Sequence, residues 1–163
     1  MSKAFGLTFA AAALIIGGLI WYGFEDTKGN HLAPTGSIGK VRNVKAADDL
    51  TYMVIDFKVK NDSDRDMTVR SIEASVEGPD DQSIMGSGVA RSDVDTAFKS
   101  YPELGEQYNP VLRERDTVPA HQEVDRMVGI RFDAPIEKIN GRKRLVLKLN
   151  DITGVELEMA KFR

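Results

Sequence analysis

The chain has no cysteine and only two histidines, His31 and His121. Disulfides, thiolate nucleophiles, cysteine zinc sites, covalent haem attachment and a lipidated N-terminal cysteine are therefore excluded. It also lacks an excess of charge of either sign, with 22 basic and 25 acidic residues for a net −3. That balance gives no electrostatic footprint for a nucleic-acid partner. No Gly-x-Ser-x-Gly elbow and no phosphate-binding Gly-rich loop ending in Lys-Ser or Lys-Thr is present. Neither histidine has a second histidine or a carboxylate at ligand spacing, so each reads as solvated. No set of nucleophile, base and orienting group is visible, so the chain is not expected to be an enzyme or to carry a cofactor.

Charge is also missing, this time locally, from Ala4 to Phe24, AFGLTFAAAALIIGGLIWYGF. As a helix this run spans about 31 Å at ~1.5 Å per residue, the thickness of a bilayer's hydrocarbon core. A lone segment in lipid must satisfy its own amides, which a helix does. Trp21 and Tyr22 stand at its end, where amphipathic rings favour the headgroup layer. No Ala-x-Ala site follows, which favours an uncleaved anchor over a signal peptide. Lys3 precedes the run while Glu25 and Asp26 follow it, so the positive-inside rule keeps the N-terminus in the cytoplasm. The expected location is the inner (cytoplasmic) membrane, single-pass, with the domain in the periplasm or another extracytoplasmic space. Ala13 and Gly17 form a small-xxx-small pair that lets membrane helices approach, although small residues are also simply common in such helices.

Residues 1–24 thus read as a transmembrane anchor, 25–36 as a polar linker containing Pro34 and Gly36, and 37–163 as one domain. The domain shows period-two patterning. Met53, Ile55, Phe57 and Val59 alternate with Val54, Asp56, Lys58 and Lys60, as in a half-buried antiparallel strand. In Met67–Glu77 the apolar parity flips between Val69 and Ile72, which predicts a β-bulge near Arg70–Ser71. Further strands are expected at Lys40–Lys45, Ser83–Ala90, Val124–Phe132, Leu145–Leu149 and Val155–Met159. About seven short strands separated by turns predict an all-β, immunoglobulin-like antiparallel sandwich.

Three segments, VIDFKVKNDSDRDMTV (54–69), TVPAHQEVDRMVGIRF (117–132) and RLVLKL (144–149), resemble the late-embryogenesis-abundant type 14-like domains and related bacterial extracytoplasmic domains that follow a single membrane anchor. The resemblance implies an Ig-like sandwich and a non-catalytic interaction or accessory role. The chain departs from that pattern in a long insertion at about 86–118.

A connection of about thirty residues is uncommon in a compact domain and is often functional. Ser92 has capping-box spacing, and a short helix is expected near Asp93–Ser100, ending before Pro102. Phe98, Tyr101, Leu104, Tyr108 and Leu112 give the insertion apolar anchors. They are candidate partner-binding residues; equally, the insertion could fold back over an open sheet edge.

Asp62, Asp64, Asp66 and Glu73 fall at positions one, three, five and twelve of an EF-hand spacing. Met67 replaces the required Gly, Arg70 occupies a ligand position and the flanks are strands, so an acid-rich hairpin turn is preferred to a calcium site. Asn140-Gly141 reads as a tight turn before a basic cluster, Arg142–Arg144, interpreted as a solvated loop. Together these features suggest a membrane-anchored accessory subunit. Its sandwich would mediate protein–protein contact in a larger respiratory, photosynthetic, transport or secretion complex. The alternative is an envelope protein that binds a ligand or ion.

Overall fold

The computed structural model describes residues 16–17 and 32–162. The proposed anchor residues Ala13, Trp21 and Tyr22 lie outside them; Gly17 is described, within helix. Among the described residues no helix is long and apolar enough to cross a membrane. The elements run β1 (Pro34–Ala47), β2 (Leu50–Asn61), β3 (Met67–Glu77), β4 (Ser83–Gly88), α1 (Arg91–Ser100), a 3-10 turn (Pro102–Leu104), β5 (Thr117–Val118), β6 (Gln122–Phe132), α2 (Ile136–Asn140), β7 (Arg144–Asp151) and β8 (Glu156–Phe162).

Alternation decides where each strand puts its side chains. Met53, Ile55, Phe57 and Val59 of β2 are all buried in the main core, as their spacing requires. β3 carries the expected bulge: its register with β7 shifts between Val69 and Ser71. The extra residue lets Val69 on one parity and Ala74 and Val76 on the other enter the same core. β1 starts earlier than its alternation suggested. Pro34 is its first residue, a position where the missing N–H of proline costs the ladder nothing, and Leu32 packs on the core. The last residues of the expected linker thus belong to the domain.

The hydrogen-bonded path is β1-β2-β6-β4-β3-β7-β8, with β5 paired to β3. It folds into two antiparallel layers, β1-β2-β6 and β4-β3-β7-β8, around the main core. β4 joins them. Ser83–Ser87 pair with β3, whereas Ser87 and Gly88 pair with β6. In an immunoglobulin constant-type sandwich the strands divide as ABED and CFG. Here β1, β2 and β6 take the places of A, B and E, and β3, β7 and β8 those of C, F and G. The fourth strand has moved almost wholly to the second sheet, keeping only its end on the first.

Two glycines make this packing possible. Gly86 sits inside β4, within the strand expected at Ser83–Ala90: a Cβ there would fall 2.4 Å from Ile130 and 2.6 Å from the Phe132 ring. Gly129 of β6 lies under α1, where a Cβ would meet Val94 at 2.5 Å and Val89 at 2.7 Å. Real Cβ atoms do not approach so closely, so α1 must move if Gly129 gains a side chain. Gly129→Ala is expected to destabilise the domain by about 1–3 kcal/mol through overpacking. Urea unfolding with circular dichroism checks this; an unchanged midpoint would show that α1 adapts without cost.

Two turn assignments change. Asn140-Gly141 ends the short helix α2 and is no hairpin turn. Ser92 lies inside α1, whose N-cap is Ala90 without a side-chain hydrogen bond; Ala90 is extended, and the helix begins at Arg91, two residues before the expected start at Asp93.

Candidate interaction surface

The outward face of β1-β2-β6 is not polar throughout. Val44, Val54 and Met127 point away from the main core and would be exposed apolar surface on an ordinary outer sheet. Residues 89–112 cover them. Val94 and Ala97 of α1, Leu104 of the 3-10 turn and Val111 join them in a second buried cluster, with Val89, Phe98 and Tyr101 at its margin.

At one side of this cluster is a buried ion pair. Arg42 of β1 and Asp56 of β2 meet at 2.6 Å, with side chains only 7% and 8% exposed. The same guanidinium donates to the carbonyls of Leu104 at 2.7 Å and Glu106 at 2.6 Å. Asn109 donates to the other Asp56 oxygen at 2.9 Å. The Arg42 guanidinium also lies over the rings of Phe98 and Tyr108, 5.1 and 5.3 Å from their centroids. One planar cation therefore binds a carboxylate, two carbonyls and two aromatic faces, a set that suits arginine and not lysine. A buried charge needs such partners to be tolerated. The consequence is mechanical: residues 98–109 are fastened to the sheet at several points.

The connection also closes sheet edges. Val111 forms a parallel bridge with Met127; the Leu112 amide donates to the Met127 carbonyl, and the Met127 amide to that of Pro110. The Val89 amide donates to Gly129. Further on, β5 pairs with the start of β3, and Arg115 and Asp116 exchange hydrogen bonds with Val69. The edge-covering reading is thus correct as far as it goes, but the insertion covers a whole face as well.

This arrangement sorts the five candidate partner-binding residues. Leu104 and Leu112 are buried, the first in the second cluster and the second in the main core. Their contacts lie inside the domain. Phe98 and Tyr101 are half-buried. Tyr108 is 58% exposed, with Lys40 on its ring at 4.8 Å. Gly105, Glu106 and Gln107 beside it are exposed, and Gly105 adopts a φ of 69° that favours glycine.

The candidate calcium carboxylates do not converge. Asp62 pairs with Lys60 at 2.8 Å, Asp64 with His121 at 2.8 Å, Asp66 accepts from the Ala120 amide, and Glu73 accepts from Asn150. Among the described residues no group of three acids or histidines is placed to hold a metal ion. The spacing does not gather them because Asp62, Asp64 and Asp66 lie in the turn between β2 and β3, each held by a different neighbour, while Glu73 lies within β3, whereas an EF-hand loop wraps its ligands round one point. His121, read as merely solvated, has in Asp64 a partner far along the chain. The basic cluster is likewise engaged: Lys143 reaches Asp81 at 2.5 Å, Arg144 reaches Glu158 at 2.9 Å, and Arg142 donates to the Ile139 carbonyl.

Arg42, Asp56 and Asn109 were missed as a site. The available signal was that apolar Val54 and Met127 occupy supposedly outward positions, which implies a cover, with Asp56 opposite Met127.

No family model matches the chain, and no curated protein matches it. The resemblance to late-embryogenesis-abundant type 14-like domains therefore carries no family membership. Several solved structures are similar in shape. A chain of the archaellum periplasmic stator complex of FlaF and FlaG from Sulfolobus acidocaldarius aligns at 10% identity over 78% of this chain and 88% of that one, with a TM-score of 0.34. FlaG from the same organism aligns at 9% identity over 79% and 100%, with a TM-score of 0.32. An uncharacterized β-sandwich protein from Clostridium difficile 630 aligns at 14% identity over 80% of each chain, also at 0.32. At that distance no role transfers, and the fold rests on strand order and register.

Proposed function

We propose that this chain is a non-catalytic accessory subunit, held in a membrane by its N-terminal apolar run, that presents the connection over β1-β2-β6 to a protein partner in a larger membrane complex. The domain stands on the extracytoplasmic side. One observation carries the reading: the buried Arg42–Asp56 pair fastens a long surface segment whose projecting aromatic, Tyr108, is left exposed. A rigid aromatic on a preorganised segment binds with little ordering cost, and tyrosine is enriched at interface hot spots. The outer face of the other sheet offers a poorer surface. It carries a ladder of ion pairs, Lys148 with Glu156 and Glu158 and Arg144 with Glu158. The acidic hairpin, whose carboxylates diverge, does not favour the ion-binding alternative.

A photo-crosslinking residue at position 108 in the full-length chain, irradiated in native membranes, is expected to give an adduct of defined mass. The same residue at Glu73, on the ion-paired face, is expected to give none. No adduct at 108 from a folded chain would overturn the proposal.

A further inference from the structure

The β-strands place three turns at one end of the sandwich. Pro34 pairs with Asn61 and Asn61 with Gln122; Met67 pairs with Val118; Val69 stands opposite Asp151. The turns at 61–67, 118–122 and 151–156 therefore surround the point where β1 begins. Between Phe24, the last residue of the apolar run, and Pro34 the chain can reach at most about 35 Å. β1 alone, 14 residues long, spans about 45 Å at ~3.3 Å per residue. The leash is shorter than the domain, so this end stays nearest the bilayer.

Its chemistry differs from the rest of the surface. A groove of about 600 Å³ opens there between the 61–67 and 151–156 turns, with Leu32, Arg65, Ile152 and Val155 among its lining. Ile152, at the tip of its turn, is 59% exposed. Each acid of this end has a partner within the domain: Asp62 pairs with Lys60, Asp64 meets His121, Asp66 accepts from the Ala120 amide and Asp151 from Thr68 and Thr153. Among the described residues the Arg65 guanidinium makes no ion pair and is exposed. Asp62, Asp64, Asp66 and His121 are exposed as well, each with a partner; what projects without a side-chain partner among the described residues is one aliphatic side chain, Ile152, and one cation, Arg65. From this we infer that the end formed by these turns rests on the bilayer, with Ile152 in the boundary between headgroups and acyl chains and Arg65 against lipid phosphate. The inference rests on the membrane-held reading above.

The natural absence of cysteine makes the test direct. A nitroxide is attached to Ile152→Cys or to Met85→Cys in the full-length chain, reconstituted in vesicles of phosphatidylcholine with or without phosphatidylglycerol. Met85 is equally exposed, at 63%, but lies toward the other end on β4. The ratio of oxygen to nickel-chelate accessibility is expected to be several-fold higher at 152 than at 85. Arg65→Ala is expected to lower it in the phosphatidylglycerol vesicles; an unchanged ratio overturns the phosphate contact. If the chain floats with the vesicles but 152 is as aqueous as 85, this inference fails while the anchor stands. If the chain does not float, the membrane-held reading itself fails, and this inference with it.

Discussion

Asp56→Ala is expected to cost about 3–5 kcal/mol of stability, because it strands a guanidinium that folding has already removed from water. Arg42 is 8% exposed, and among the described residues its only carboxylate partner is Asp56. The carbonyls of Leu104 and Glu106 cannot neutralise it. Asn109 would lose its acceptor as well. At roughly 3 °C per kcal/mol for a domain of this size, the thermal midpoint should fall by about 10–15 °C. Replacing both partners, Arg42→Met with Asp56→Leu, should restore much of that loss, since a buried pair roughly offsets its own desolvation. The single variant should also release the connection, raising hydrogen exchange of the amides at Leu104, Gly105 and Leu112 before global unfolding. Thermal melts and exchange mass spectrometry check both expectations. A loss under about 1 kcal/mol would show that packing of Val94, Ala97 and Leu104 holds the segment without the ion pair.

Asp151→Ala is the second large effect, expected at about 3 kcal/mol. Asp151 is 1% exposed and closes the turn between β7 and β8. One carboxylate oxygen accepts from the Thr68 amide at 2.6 Å; the other accepts from the Thr153 amide at 2.7 Å and the Thr153 hydroxyl at 2.5 Å. It thus joins the start of β3 to the far turn, and alanine would leave buried donors without an acceptor. Burial pushes the carboxyl pKa up, but the hydrogen bonds from Thr153, Thr68 and Ile152 outweigh it and hold the value below that of an ordinary aspartate. A lowered folded value means that the stabilisation is present above the unfolded pKa of about 3.9 and is lost as pH falls through the folded one. Asp151→Asn should therefore flatten the acid limb of a stability–pH curve below about pH 4, besides lowering the plateau. Urea midpoints between neutral pH and acid give the comparison; parallel curves would mean that other carboxylates carry the acid sensitivity.

Much of this architecture could be read from residue order. The parity of Met53 to Val59 placed β2, the parity flip after Val69 located the bulge, and the stop at Pro102 marked the end of α1, although the cap expected at Ser92 is Ala90. Each signal is local, because a period of two or of 3.6 is complete within a few residues. The ends were less legible. β1 runs six residues beyond its alternating part on the N-terminal side because edge pairing with β2 continues through Pro34, Thr35 and Gly36, whose side chains carry little pattern.

The site was harder. Asp56 alternates with apolar neighbours like any surface acid, and nothing in its own strand shows that Arg42 stands beside it or that Asn109 comes down on it. A spacing of carboxylates that matched a calcium loop was undone by the separate partners that the turn gives to Asp62, Asp64 and Asp66 and by the place of Glu73 within β3. Gly86 and Gly129 look like turn residues or neutral gaps until the Phe132 ring and the Val94 side chain are set against them.

From residue order alone came the apolar face of each strand, the turns between them and the presence of an unusually long connection with aromatic anchors. The tertiary structure decided where that connection goes, which of its anchors are consumed in the core and which one, Tyr108, remains outside. The division is physical. Which side of a strand is greasy is written within the strand, but which distant segment covers it depends on register and chain path, and these are settled only when all the strands pair at once.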